Sequence, residues 1–124
     1  MPGIDECLLA AMVVPGARGA SLVDWTSGLA LGTVGDSPDG DHEATAAQTA
    51  ELARMAAEQR AFSTDGRPVE DVIITAPSGY HLLRYVETAF DSSVFLHLWL
   101  DREDGNLALA RLRLRGLAEQ LVLG

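Results

Sequence analysis

Three histidines are the residues of this 124-residue chain best suited to bind a metal ion: His42, His81 and His97. One lies in a turn-forming segment and two lie in segments of strand composition, and a single cysteine, Cys7, is available to join them. Structural zinc sites use four ligands at short characteristic spacings, and the sequence contains no such spacing. We therefore expect no metal site, and we interpret Cys7 as a packing group among apolar neighbours.

Carboxylates crowd the segment 36–43, and oxygen ligands of this kind suit calcium. They are Asp36, Asp39, Asp41 and Glu43. An EF-hand loop would need alternating ligands, a central glycine and a distant glutamate, and that order is missing. The segment is better explained as a solvated turn followed by the start of a helix.

Motifs for nucleophilic catalysis and for nucleotide binding are also missing. Ser78 lies near His81 in PSGYH, but the G-x-S-x-G motif is absent. The segment Gly32 to Gly35 lacks the lysine and the following helix of a P-loop. The sequence therefore predicts a protein that is not an enzyme and that binds no cofactor.

The formal net charge is −9, and all nine basic residues are arginines. An acidic surface repels phosphate groups, so we expect neither nucleic acid nor an anionic membrane as a partner. No leader segment is evident and no apolar run approaches the ~20 residues that span a bilayer, which predicts a cytoplasmic location without membrane insertion. Four arginines cluster near the C-terminus and form either a solvated helix face or a docking patch for an acidic partner: Arg102, Arg111, Arg113 and Arg115.

The segment Asp41 to Phe62 contains neither glycine nor proline, and its composition predicts a long helix with an acidic first turn. On a helical wheel Leu52, Met55 and Phe62 lie on one side. A stripe of alanines lies roughly opposite: Ala46, Ala50, Ala53, Ala57 and Ala61. We expect the larger side chains to pack on the protein's own core and the alanine stripe to meet a second copy or a partner. The alternative is a helix that its own chain buries on both sides.

The remaining elements follow from hydrophobic periodicity and turn residues. Because residues 94–100 are apolar on both faces, we expect that strand in the middle of a sheet covered on both sides. The predicted fold class is α/β (α+β), a single domain 1–124 with the order αββαβββα, in which the long middle helix covers one face of a five-stranded, mostly antiparallel sheet and the terminal helices cover the other. Its elements are a helix at 4–13, a hairpin at 19–26 and 29–35, strands at 71–76, 80–88 and 94–100, and a final helix from residue 106.

Several segments resemble the roadblock/dynein light chain family, and most closely its actinobacterial members. They are Val14 to Asp24, Thr26 to Gly28, Val72 to Thr75, Tyr80 to Leu83, Leu98 to Arg102 and Asn106 to Arg111. The resemblance implies a profilin-like sandwich that forms a homodimer. In such dimers the middle helices pair and the strand after them, here Asp71 to Ala76, joins its copy in one continuous sheet.

The resemblance also implies a non-catalytic adaptor or regulator that binds a small Ras-like GTPase, in some bacteria linked to a sensor kinase. The residues that we assign to the dimer interface are the alanine stripe together with Val72, Ile73 and Ile74. Arg54, Arg60 and Arg84 are the candidates for contact with the GTPase.

A second function remains open, that of a profilin-like domain that senses a small molecule between its sheet and its helices. Such a domain would have a concave apolar pocket with a few converging polar groups. The aromatic residues that we expect to line it are Trp25, Tyr80, Tyr85 and Trp99. Molecular mass with and without Ala53→Arg would separate the two functions, because a charge on the alanine stripe should divide a dimer.

Overall fold

The computed structural model describes residues 3–87 and 93–121. The observed order of elements confirms the predicted αββαβββα order. The elements are α1 (Ile4–Ala11), β1 (Ala17–Asp24), β2 (Leu29–Gly35), α2 (His42–Glu58), a 3₁₀ turn (Arg60–Phe62), β3 (Asp71–Ala76), β4 (Gly79–Val86), β5 (Val94–Asp101) and α3 (Leu107–Gln120). Thr88, where we expected the fourth strand to end, lies outside the described residues.

The five strands form one antiparallel sheet in the order β2-β1-β5-β4-β3. The central strand is β5, and each residue from Val94 to Leu100 is buried. A strand that is apolar on both faces buries the most apolar surface in this position, because helices cover both faces of the sheet there. The prediction of a central strand at 94–100 is therefore confirmed.

Helices cover the two faces of the sheet as predicted. On one face, α1 and α3 pack against alternate residues of the inner strands, such as Leu22, Leu82 and Leu98. On the other face, α2 packs against Val23 and Phe95. Cys7 belongs to the first of these cores and burial raises its pKa, as expected of a thiol that packs among apolar side chains.

The alanine stripe of α2 faces the sheet, and of the larger side chains expected there only Leu52 packs, in part, against the same core. Ala46, Ala50 and Ala53 are buried against the sheet, whereas Met55 is 52% exposed and Phe62 is 65% exposed. At this contact the large side chains belong to the sheet and the small ones to the helix, so the backbone of α2 lies close to the sheet. Of the two remaining alanines of the stripe, Ala57 is partly buried at the same core and Ala61 is exposed.

The long helix is also shorter than predicted. Asp41 is the residue that caps it, and its side chain accepts hydrogen bonds from the backbone N–H groups of Glu43 and Ala44. At the other end Gln59 has an extended backbone with ψ of 123°, and the chain continues into the 3₁₀ turn that contains Phe62. No glycine or proline marks this end in the sequence. The composition therefore predicted a helix that continues to Phe62, beyond its observed end at Glu58.

Candidate functional site

The outer side of α2 carries a ridge of residues that the protein's own core covers only in part, since Leu52 packs against that core and Met55 is 52% exposed. Gln48, Leu52 and Met55 follow one another at spacings of four and three, and so lie along one face of the helix. Leu52 and Ile74 of β3 line the same groove. We call the surface formed by Gln48, Leu52, Met55 and Ile74 the α2–β3 surface.

Strand β3 lies at one end of the sheet. Within the described residues it pairs with β4 alone, so the backbone groups along its other edge have no partner strand. Val72 and Ile74 lie on the same face as α2, whereas Ile73 lies on the opposite face beside Leu82. An exposed edge of this kind is a place where another strand can add.

The three arginines assigned to partner contact are not together. Arg54 on α2 and Arg60 in the 3₁₀ turn are exposed. Arg84 lies on the other face of the sheet, where its guanidinium is 3.6 Å from Asp71 and largely buried. Arg111 also contacts Asp71, with Nε 2.7 Å from the carboxylate. Arg84 therefore contributes to an internal ion-pair cluster, and Arg54 and Arg60 remain available to a partner.

Three arginines of the cluster near the C-terminus, Arg102, Arg111 and Arg115, contact neighbouring carboxylates or carbonyls. Arg115 lies 3.7 Å from Glu119 one helical turn away, and Arg102 donates to the carbonyl of Ala76. With the contact between Arg111 and Asp71, these geometries fit a solvated helix face that offsets nearby acids. Exposed pairs of this kind contribute little to stability.

A pair of histidines lies on the sheet face beside α2. His81 Nδ1 and His97 Nε2 are 3.0 Å apart, and the two rings are stacked. Burial, together with smaller effects of the nearby His81 and His42, lowers the pKa of His97 to about 3. Burial also lowers the pKa of His81. Both imidazoles are therefore neutral at pH 7, and one of them donates a hydrogen bond to the other.

The sequence did not reveal this pairing because it depends on the register of β4 against β5. His81 lies opposite Trp99, which places it diagonally across from His97 two residues away. The sequence does show one histidine in each of two neighbouring strands. Their rings lie on the same face of the sheet only in certain registers of β4 against β5. Only the assembled sheet shows that register.

A groove of about 310 Å³ opens between α2 and the β3 end of the sheet. We call it the histidine groove. Its apolar walls are Pro38, Leu52, Ile74 and Leu83. Its polar lining consists of Asp39, Thr45, Gln48, Thr49, His81 and His97.

Hydrogen bonds within the chain hold the acidic segment before α2, and its carboxylates are not arranged as the ligands of a metal ion. The Asp39 carboxylate accepts from the Thr45 and Ser37 hydroxyls and from the backbone N–H of Asp41, and these bonds lower its pKa. In the part of the chain that the structure describes, no three histidine, cysteine, aspartate or glutamate side chains are grouped closely enough to hold a metal ion. These contacts fit the interpretation of a turn and a helix start.

Ser78 and Asp24 have local roles. Ser78 is exposed in the turn between β3 and β4, and His81 is bonded to His97. Asp24 accepts from the backbone N–H of Thr26, which fixes the turn of the first hairpin. Among the described residues, no helix has the length and apolar character that crossing a membrane requires.

The aromatic pocket proposed from the sequence is not formed. Tyr80 packs on the α1 and α3 side of the sheet, whereas Tyr85 and Trp25 pack on the α2 side. The Tyr85 hydroxyl donates to the carbonyl of Ala53 in α2, and burial raises its pKa to about 12. These side chains therefore cannot line one common cavity.

No protein-family model matches the sequence, and no curated protein matches it. Solved structures do match. A roadblock/LC7 domain from Streptomyces avermitilis superposes with a TM-score of 0.76 at 22% sequence identity, over 95% of this chain and 93% of that one. The chain has the roadblock fold. This fold confirms the resemblance seen in the sequence segments.

Two further structures with the roadblock fold are similar over nearly the same length. MglB from Myxococcus xanthus has a TM-score of 0.75 at 18% identity and covers 94% of this chain and 84% of its own. A structure of MglB in a tetrameric arrangement has a TM-score of 0.74 at 20% identity and covers 94% of this chain and 82% of its own. The roadblock fold thus accounts for nearly the whole chain.

Proposed function

We propose that the protein is a non-catalytic, homodimeric adaptor that binds and modulates a small Ras-like GTPase in a bacterial signalling system. The observation that carries the proposal is the α2–β3 surface, an apolar ridge beside an unpaired strand edge, in a chain with the roadblock fold. We name a small GTPase as the partner because sequence segments of the chain resemble the roadblock family. A sensor kinase linked to the same system is part of this proposal.

The α2–β3 surface replaces the alanine stripe as the proposed dimer contact, because Ala46, Ala50 and Ala53 are used by the protein's own core. A two-fold axis beside β3 would pair its free edge with the same edge of a second copy and bring the two α2 ridges together. Fully burying a side chain such as Met55 is worth about 1.5–3 kcal/mol. The Leu52 and Met55 ridge is therefore the energetic centre of the proposed contact.

Met55→Arg should convert a dimer to a monomer, because two arginines would meet across the two-fold axis in a contact that excludes water. The measurement is molecular mass by light scattering over a range of protein concentrations. Leu112→Arg is the matched control, since Leu112 is 63% exposed on α3 in the other layer and its replacement should leave the mass unchanged. A wild-type protein that stays monomeric at high concentration would contradict the proposed dimer.

Binding to a GTPase is tested with purified Ras-like GTPases of the same organism, loaded with GDP or with a non-hydrolysable GTP analogue. We expect one nucleotide state to bind more tightly, because the switch loops of such proteins differ between the two states. Arg54→Glu and Arg60→Glu should weaken binding, whereas Arg67→Glu, in the exposed loop before β3, should not. Equal failure of both nucleotide states would reject the proposed partner.

If the GTPase turns over faster when bound, we expect an indirect effect through ordering of its switch loops. Arg54→Ala and Arg60→Ala would then lower affinity without abolishing the acceleration at saturating concentrations. Loss of acceleration at saturation would instead identify an arginine that acts directly on the transferred phosphate.

A further inference from the structure

The end of the sheet formed by β2 is acidic and carries exposed apolar side chains. Residues 1–53 contain eight aspartates and glutamates, and Arg18 is their one arginine or lysine. The Arg18 guanidinium lies 4.0 Å from the centre of the Trp99 ring, so it leans over β5 and away from β2. Large apolar side chains of both α1 and β2 are exposed as well. A surface of this kind suits a partner that carries apolar and basic side chains.

Helix α1 lies over β2 and leaves an apolar flank uncovered. A side chain at Gly32 or Gly35 would collide with α1, so the helix runs along this outer strand. Leu8 packs over Gly32, and Leu9 follows it about 100° further round the helix. Leu9 and Val13, one helical turn apart, are 60% and 73% exposed. They form a short apolar row beside β2.

The outer edge of β2 offers backbone hydrogen-bonding groups. Among the described residues β2 pairs with β1 alone, in a regular register from residue 32 to residue 35. The N–H of Asp36 donates to the carbonyl of Arg18 in β1, and residues of an antiparallel strand point their backbone groups alternately toward and away from the partner strand. Thr33 therefore directs its N–H and its C=O away from β1. The next outward carbonyl, that of Gly35, already lies 3.0 Å from His42 Nε2.

On the other face of the sheet, a cleft of about 410 Å³ lies between β2 and the first turn of α2. Residues 28–33 line it together with His42 and Glu43, and the described lining contains no arginine or lysine. Glu43 is exposed there. Because side chains alternate between the two faces of a strand, a strand added to β2 would direct one row toward Leu9 and Val13 and the other toward Glu43.

We infer that the outer edge of β2 binds an extended segment of another protein in which apolar and basic residues alternate. The backbone of the segment bonds to Thr33, its apolar row covers Leu9 and Val13, and its basic row meets Glu43. A second copy of the chain is the poorer occupant, because the acidic residues of two identical edges would face each other across a two-fold axis. The contact goes beyond the proposed adaptor function, since it lies at the end of the sheet opposite the α2–β3 surface and leaves that surface free.

The test uses a fluorescently labelled peptide of sequence RVRVRVR with blocked ends. The acidic peptide EVEVEVE is the charge control, and RRRRVVV has the same composition without the alternation. The readouts are fluorescence anisotropy and the backbone amide NMR signals of β2. We expect saturable binding of RVRVRVR that shifts the Thr33 amide signal and weakens about tenfold at high salt, where charges are screened. No saturable binding at millimolar concentrations would overturn the inference, as would equal binding of RRRRVVV.

Variants test the backbone, the charge and the apolar contacts separately. Thr33→Pro removes an N–H that the pairing with β1 does not use, so the protein should fold and bind about tenfold more weakly. Glu43→Arg and Leu9→Gln should each weaken binding, whereas their matched controls on α3, Glu119→Arg and Leu112→Gln, should not. Unchanged affinity in both Thr33→Pro and Glu43→Arg would overturn the inference, as would an equal loss in Glu119→Arg. If Thr33→Pro does not fold, an unshifted Thr33 amide signal in the wild-type protein would overturn it.

The result can be read independently of the proposed dimer. Each titration is repeated on Met55→Arg, which changes the α2–β3 surface and leaves β2 intact. Peptide binding to Met55→Arg supports the β2 contact whether or not the wild-type protein is a dimer. A molecular mass that rises with protein concentration in Met55→Arg, and no longer does so when Thr33→Pro is added, would show that a second copy occupies the edge and would overturn the inference.

Discussion

Replacing Ala53 by arginine should unfold the protein rather than divide a dimer. Ala53 is 0% exposed, and it packs in the core between α2 and the sheet together with Leu83 and Phe95. The Tyr85 hydroxyl bonds to the carbonyl of the same residue, which holds the helix close to β4. An arginine there would have neither room nor a buried counter-charge, so we expect a loss above ~4 kcal/mol, comparable with the ~5–15 kcal/mol by which domains are stable.

The measurement is urea unfolding followed by circular dichroism, with Met55→Arg as the control. The control makes the same substitution two residues later on the same helix, where the side chain is 52% exposed. We expect it to keep a cooperative transition within about 1 kcal/mol of the wild-type protein. If Ala53→Arg melts like the wild-type protein and only its mass changes, the alanine stripe is a subunit interface after all.

Local patterns predicted the elements of this fold well. The β-branched run at 71–76, the alternation at 94–100 and the turn residues between them depend on neighbours in sequence, and each element is present at nearly those bounds. The central position of β5 could also be predicted, because only an inner strand can bury both of its faces.

The orientation of α2 could not be predicted from the helix alone. Two apolar stripes are available, and the one that faces the sheet is decided by the size of Phe95, Leu83 and Tyr85 on distant strands. With bulky residues on the sheet, small residues on the helix fill the layer at native density, and larger ones would overpack it. For this reason Ala46, Ala50 and Ala53 are not free to meet a second copy, and a contact between copies stays a prediction.

Polar side chains were the hardest to place. Arg84 was a candidate for contact with a partner, yet the pairing of Asp71 opposite Arg84 in β3 and β4 gives it an internal carboxylate. His81 and His97 meet only through the register of β4 and β5. Contacts of this kind depend on pairing between strands, which residue types and spacing within one segment do not specify.

Stability should fall steeply as the pH is lowered below about 6.5, largely because of His97. The ring is 4% exposed, and burial holds its pKa near 3 against an ordinary value of 6.5. Between these two values the unfolded chain binds a proton that the folded chain does not, so stability decreases as the pH falls. The slope from one such group is at most ~1.4 kcal/mol per pH unit, and above pH 6.5 the contribution is constant.

The test compares urea unfolding of the wild-type protein and His97→Leu from pH 8 to pH 4. His81 from β4, His42 from α2 and Asp39 from the preceding loop all face this region, and their own titrations remain in the variant. The variant loses a hydrogen bond, which lowers its stability by a roughly constant amount, so the difference between the two proteins should be flat above pH 7. Below pH 6.5 that difference should shrink as His97 destabilises the wild-type protein, and His42→Gln should not reproduce the effect. Parallel curves across the whole range would show that His97 takes up its proton in the folded state, and that burial does not hold it neutral.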